Sequence, residues 1–177
     1  MRAFIVVEGI DNSGKSTLVR KLSAKFPEFN VQPGEGPPRD GENINDRIRK
    51  YENYDGLWLF DRHPVVSQPV YGSINENVQT VEPQLTEEFY NFTAPLFIYC
   101  DPLDRGLAAH AARTDEDNHI DTPEFLAKLE QNYNTMLEQY RMWAVTHAHL
   151  VYRIGDDPDL IVGYIRQSWL PMFLKDN

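Results

Sequence analysis

FIVVEGIDNSGKSTLV, residues Phe4 to Val19, opens on a short apolar run and closes on a helical one, with a glycine-bounded loop between them. Ala3 to Glu8 reads as a buried parallel strand, β-branched and stopped by Gly9. Gly14 to Ala24 reads as a helix, with Leu18, Leu22 and Phe26 near helical spacing. The loop, Gly9-Ile10-Asp11-Asn12-Ser13-Gly14-Lys15-Ser16, fits G-x-x-x-x-G-K-[ST] at every position, and it lies between a strand and a helix, as a phosphate cradle requires. Glycines let backbone N–H groups curl around an anion, and the helix N-terminus adds partial positive charge. Gly9, Asp11, Asn12, Ser13, Gly14, Lys15, Ser16 and Thr17 are thus the candidate nucleotide-binding set. Lys15 is expected to reach the β- and γ-phosphates, and the Ser16 hydroxyl to ligate Mg²⁺. ATP and Mg²⁺ are the expected donor and ion.

Outward from this stretch, strands and helices alternate. Phe29–Gln32, Leu57–Asp61, Leu96–Asp101 and Leu150–Ile154 read as further strands. Helices are expected around Ile44–Tyr51, between Asp61 and Phe92, over Arg105–Arg113, after the Thr122-Pro123-Glu124 start signal, and from about Pro158 to Trp169. Alternation of this kind implies an α/β fold with five mainly parallel strands flanked by helices, in a single domain spanning residues 1–177. Ligands in such sheets bind at the carboxyl ends of the strands. Pro33–Gly41 is a loop by composition, and Thr114–Asp121 is a polar, acidic interruption suited to a lid.

The bulk composition narrows the partners. The chain has 177 residues and a net charge of -10, from 17 Lys+Arg against 27 Asp+Glu. That counts against holding long nucleic acid by bulk electrostatics, although a single nucleotide in a local pocket is untouched by it. One cysteine, Cys100, forms no internal disulfide and fits a reducing compartment. The N-terminus has no secretory h-region, so a cytoplasmic location is expected, that of the host if the source is viral. No N-K-x-D guanine-reading motif occurs, which turns the reading from a GTPase switch to a small-molecule or nucleotide kinase.

The second informative stretch is LFDRHPVVSQPVYG, Leu59 to Gly72. Its Asp-Arg pair closes a strand at the edge that faces the phosphate loop. Arg62 can clamp a phosphate or the polar edge of a base through its fork. Asp61 can accept a proton from an attacking hydroxyl or hold a water on Mg²⁺.

At these residues the sequence resembles the thymidylate kinase family. EGIDNSGKST resembles its E-G-x-D-x-x-G-K-S/T loop. DRHPVVSQPVYG resembles its D-R-[YH]-x-x-S-x-x-x-Y segment, and YCDPLDRGLAAHAAR with FLAKLEQNY its fourth-strand and lid region. The likeness runs from about Phe4 to Tyr140. It implies that Asp11 touches a sugar 3′-hydroxyl, that Arg62 holds the acceptor and that Asp61 assists at the metal or attacking group. It further implies that Ser67 and Tyr71 line the acceptor pocket, that Arg105 and Arg113 lie toward the nucleotide and lid, and that the protein forms a homodimer.

Two departures bear on the acceptor. The family has an arginine in the loop after the second strand, and VQPGEGPP has no basic residue between Val31 and Pro38. The family also has an arginine in the phosphate loop or lid. Here Asn12 and Ser13 occupy the loop, and the lid carries four acids with His119. GEGPP followed by DRHPVVSQPVYG is similar instead to phage kinases that phosphorylate 5-hydroxymethyl-deoxyuridine in DNA, a step in thymidine hypermodification. For a neutral hydroxymethyl acceptor a carboxylate matters more than a second arginine, and Asp61 or Glu35 can serve. A base in DNA must be flipped out or single-stranded and stacked, with Tyr51, Tyr54, Tyr71 and His63 as candidate surfaces. Arg39, Arg47, Arg49 and Lys50 are candidates for the strand backbone. Three readings follow: a DNA-level 5-hydroxymethyluracil kinase first, a deoxynucleoside monophosphate kinase making dTDP second, and a non-catalytic nucleotide-binding module third.

Overall fold

The structure is a computed structural model that describes residues 2–74, 79–103 and 123–174. Five strands form one sheet: β1 (Arg2–Glu8), β2 (Asn30–Gln32), β3 (Gly56–Asp61), β4 (Leu96–Asp101) and β5 (Leu150–Arg153). Their order is β2-β3-β1-β4-β5, and every pairing is parallel. The α/β architecture expected from the sequence is therefore present, with the strand preceding the phosphate loop at the centre.

β1 is central because it is apolar on both faces. Phe4 and Val6 point to one side and Ala3, Ile5 and Val7 to the other, and all are buried. The first side carries α2 (Ile44–Glu52), α3 (Pro64–Tyr71), α4 (Pro83–Glu88) and the long α5 (Pro123–His147). The second carries α1 (Lys15–Lys25) and α6 (Asp159–Tyr164), which continues as a π-turn over Ile165–Trp169 to α7 (Pro171–Leu174). On α5, Tyr133, Met136, Leu137 and Tyr140 are buried at helical spacing, as the sequence pattern predicts. The expected helix over Arg105–Arg113 and the lid over Thr114–Asp121 lie outside the described residues. Among the described residues no helix is long and apolar enough to cross a membrane.

Two backbone approaches fix where the loops stand. Gly9, with φ +146°, presses against β4 so closely that a Cβ on it would lie 2.5 Å from the Cys100 carbonyl oxygen. Gly34 brings the loop after β2 over the end of β3, where a Cβ would meet the Asp61 carbonyl oxygen at 3.1 Å. The phosphate loop is thereby seated on β4, and the loop after β2 on Asp61.

Candidate active site

The loop from Gly9 to Ser16 is built from unusual backbone. Asn12 (φ 61°) and Gly14 (φ +89°) are left-handed, and Ser13 is buried with no hydrogen-bond partner for its hydroxyl. Successive turns of this type aim N–H groups inward, and an orphaned buried hydroxyl marks the cradle as built for a further polar group. Lys15 lies buried across the loop, its Nζ donating to the Ile10 carbonyl at 2.8 Å. Burial, reinforced by the Arg62 charge, lowers its pKa to about 8. A lysine satisfied by one neutral carbonyl can transfer to a phosphate without breaking an ion pair. Thr17 is exposed on the first turn of α1.

Ser16 Oγ donates to Asp61 Oδ2 at 2.6 Å. One hydroxyl and one carboxylate, from loop and strand end, form a hard oxygen pair of the kind Mg²⁺ takes alongside phosphate oxygens and waters. Among the described residues no cluster of three or more His, Cys, Asp or Glu side chains could hold a metal by itself.

Arg62 is the most constrained residue of the site. Its φ of 72° is left-handed, a strained state for a side-chain-bearing residue. The flanking donors hold it there: Arg62 N–H reaches the Val7 carbonyl at 3.0 Å, and His63 N–H reaches Glu8 Oε1 at 2.6 Å. The turn throws the guanidinium back over the phosphate loop. There its Nη2 donates to Asp11 Oδ1 at 2.8 Å and to the Tyr71 hydroxyl at 2.6 Å, while the group lies over the Tyr71 ring. Asp11 N–H donates to the same hydroxyl at 3.0 Å. Burial acts to raise the Asp11 pKa, but the Arg62 and Lys15 charges overcome it and hold the carboxyl well below the usual carboxylate range. Asp11, Arg62 and Tyr71 are one unit, although they come from three places in the chain.

Beneath this unit Glu8 is fully buried, accepting from His63 N–H and, at 3.3 Å, from the Tyr140 hydroxyl. Burial raises its pKa to about 7 against the pull of those donors and of Arg62 and Lys15. In the sequence Glu8 reads as the end of a strand and the first residue of the E-G-x-D motif, and it does end β1. A carboxylate directly before the first loop glycine was the signal for its role, which is to hold the turn that aims Arg62.

The loop after β2 is held by a polar chain. The Tyr54 hydroxyl donates to Gln32 Oε1 at 3.0 Å, and Gln32 Nε2 donates to Glu35 Oε1 at 3.0 Å. Arg47 Nε lies 3.3 Å from Glu35 Oε2, its Nη2 lies 2.5 Å from Glu42, and its Nη1 donates to the Gly36 carbonyl at 2.8 Å. Arg47 was expected on an outer helix face as a strand-backbone contact. It is buried instead, because two glutamates and a carbonyl draw it under the loop. Arg49 pairs with Asp46 and Glu82.

Of the other expected residues, Ser67 donates to the His63 carbonyl at 3.2 Å and is half-buried. His63 caps α3 through Nδ1, which accepts from Val65 N–H, and stacks on Phe89 with ring centroids 4.0 Å apart. It is fully buried, which lowers its pKa to about 3, and its Nε2 has no hydrogen-bond partner. Arg105 and Arg113 lie outside the described residues.

No family model matches the chain, and no curated protein matches it. Among solved structures, the YorR protein of Bacillus subtilis in complex with phosphorylated GDP is 20% identical, with a TM-score of 0.66 over 93% of this chain and 94% of that one. Deoxyadenosine kinase from M. mycoides, with dCMP and dCDP bound, is 15% identical at a TM-score of 0.55, covering 95% and 99%. Shikimate kinase from Acinetobacter baumannii, in complex with shikimate, is 15% identical at 0.55, covering 99% and 97%. At such identities the likeness is one of fold, and it extends over nearly the whole of each chain.

Proposed function

We propose that this chain is a kinase, transferring the γ-phosphoryl group of ATP to the hydroxyl of a nucleoside-type acceptor. The acceptor we put first is the 5-hydroxymethyl group of 5-hydroxymethyl-deoxyuridine in DNA. The observation that carries the acceptor reading is the state of Arg62. Both guanidiniums of the described acceptor side are already engaged, Arg62 by Asp11 and Tyr71, and Arg47 by Glu35, Glu42 and the Gly36 carbonyl. The loop after β2 carries Glu35, bonded to Gln32 and Arg47, and has no arginine between Val31 and Pro38 to favour a phosphate. A second anion brought beside a triphosphate needs cations to offset the repulsion, and a neutral hydroxyl does not.

The roles follow from position. Mg²⁺ bound with the triphosphate would supply charge neutralisation at the β- and γ-oxygens, held on the protein side by Ser16 and Asp61. Lys15 leaves the Ile10 carbonyl for the phosphates. Asp11 accepts a sugar hydroxyl from the acceptor while Arg62 and Tyr71 keep it ionised and oriented. Glu35, fixed by Gln32 and Arg47, accepts a hydrogen bond from the attacking hydroxyl, and Ser67 and Tyr71 bound the pocket. Arg105 and Arg113 are assigned to the donor side by resemblance.

The test offers ATP labelled at the γ-phosphate to oligonucleotides with and without 5-hydroxymethyluracil, to dTMP and to other deoxynucleotides. Label on the modified oligonucleotide is expected. Label on dTMP alone would replace the first acceptor by the second. Label on nothing would leave a nucleotide-binding module. Lys15→Ala is expected to lower the rate by at least about 100-fold, the scale of losing one preorganised donor, with the unfolding transition unchanged.

A further inference from the structure

The site described so far draws its cations from β1 and β3. The β4 side of the phosphate loop has one too, which no motif in the sequence marks. Arg141, on α5, places Nη2 3.3 Å from Asp101 Oδ1. Asp101 ends β4 directly after Cys100, the residue whose carbonyl abuts Gly9. The last β1–β4 pair is Glu8 with Tyr99, so Asp101, paired with Arg153 of β5, lies two residues past the end of β1, on the side of the phosphate loop. Tyr133, on the same helix, ties the area together. Burial and the Asp11 and Asp101 carboxylates push its phenol up to about 12, while Arg141 pulls the other way, so all three charged groups act on one hydroxyl.

The three described cations around the loop differ in how firmly they are held. Arg62 has contacts of 2.8 and 2.6 Å and a side chain 23% exposed. Lys15 is buried on a neutral carbonyl. Arg141 has a 3.3 Å contact with Asp101 and a weaker interaction with the Tyr99 hydroxyl, and its side chain is 39% exposed. Its departure would not strand Asp101, whose Oδ1 also accepts from Leu103 N–H at 3.0 Å. A surface-type pair of this length is worth little, whereas a guanidinium on a phosphoryl oxygen in a closed site makes strong charge-assisted bonds.

We infer that Arg141 is a movable guanidinium of the donor site, which exchanges Asp101 for the γ-phosphoryl oxygens when the triphosphate binds. The inference rests on the kinase reading above. In the transfer, the acceptor oxygen bonds to the γ-phosphorus as the bond from that phosphorus to the β,γ-bridging oxygen breaks. The electron pair stays on the diphosphate, and the proton of the acceptor hydroxyl passes to the Glu35 carboxylate and from there to water. Arg141 is unchanged, donating N–H groups to the equatorial oxygens from the side opposite Arg62.

The experiment measures binding of MgADP and of the Mg²⁺ complex of the non-hydrolysable β,γ-imido triphosphate, by calorimetry, to the full chain and to Arg141→Ala, Arg141→Lys and Asp101→Ala. Arg141→Ala is expected to weaken the imido triphosphate about 10- to 100-fold and MgADP by less than about twofold, the size of one charge-assisted bond lost at the γ-position. Arg141→Lys should fall between, and Asp101→Ala, which releases the guanidinium, should keep or tighten the triphosphate. Equal losses for both nucleotides, or Asp101→Ala mirroring Arg141→Ala with a matching fall in Tm, would mean that the pair merely ties α5 to β4 and would overturn the inference. A wild-type chain that binds neither nucleotide overturns this inference and the donor reading together. One that binds both yet phosphorylates no acceptor overturns the proposed function alone.

Discussion

Glu8 and His63 share a hydrogen bond and are both fully buried, yet burial moves their titrations in opposite directions. His63 has a folded pKa of about 3, below its ordinary 6.5, so its contribution is complete above pH 6.5 and is lost as the pH falls toward 3. Glu8 has a folded pKa of about 7, above 4.5, so its contribution is complete below pH 4.5 and is lost as the pH rises through 7. Between pH 4.5 and 6.5 the two slopes, each about 1.4 kcal/mol per pH unit, oppose one another. Glu8→Gln keeps an acceptor for His63 N–H and removes only the titration. Relative to wild type, its unfolding free energy should rise by about 1–3 kcal/mol between pH 4.5 and 7.5. Urea unfolding at the two pH values measures this, and a difference that stays flat would contradict it. At this scale the sequence was partly legible. Lys15, Ser16 and Asp61 follow from a motif and a strand end, whereas Glu8 and Tyr140 meet across 132 positions and only the fold brings them together.

The elements were more legible than the side chains between them. The four longest strands could be read because a sheet covered on both faces needs unbroken apolar runs, and Leu96–Asp101 falls where its sequence places it. β2 has only three residues, because the acceptor loop leaves the sheet at Gln32. The fate of Arg47 could not be read, since one turn of α2 looks equally basic on its outer and inner sides until Glu35 and Glu42 are placed. The loop's seat on β3 yields a prediction for the element itself. Gly34→Ala adds a Cβ 3.1 Å from the Asp61 carbonyl, and Gly34 has no positive φ, so the loop must lift without backbone strain of its own. Acceptor kcat/KM should fall about 10-fold or more, as small misplacements near reacting groups do, while triphosphate affinity stays within about twofold. Steady-state kinetics with each substrate varied separates the two. A loss confined to the triphosphate would show that the loop serves the donor.

At the scale of the whole molecule, the central position of β1 sends β3 and β4 out on either side of the phosphate loop, and each delivers an aspartate and the seat of an arginine to its mouth. The fold class was legible from alternation alone. The symmetry of the two guanidiniums was not, because Arg141 sits on a helix far along the chain. The net charge of -10 sets a limit on how a DNA acceptor could be held. Under the proposed DNA-acceptor reading, grip would come from one extruded base in the pocket, with few phosphate contacts. Binding of a 5-hydroxymethyluracil oligonucleotide should therefore show a log–log salt slope of only about −1 to −3, as measured by fluorescence anisotropy between 50 and 200 mM salt. A slope steeper than about −5 would point to a basic track along the strand.

The polar chain that anchors the acceptor loop ends in a chromophore. Tyr54, whose hydroxyl holds Gln32, stacks face to face on Trp58 with ring centroids 4.0 Å apart. Any lift of the loop that drags on Gln32 must shear that stack and change the surroundings of the indole. Trp143 and Trp169 belong to other contacts, the first bonded to Tyr90 and the second packed on Phe29 and Phe173. The protein thus carries an optical gauge of its acceptor side. With Trp143 and Trp169 replaced by phenylalanine, the emission of Trp58 should respond to the acceptor and stay silent to the nucleotide donor.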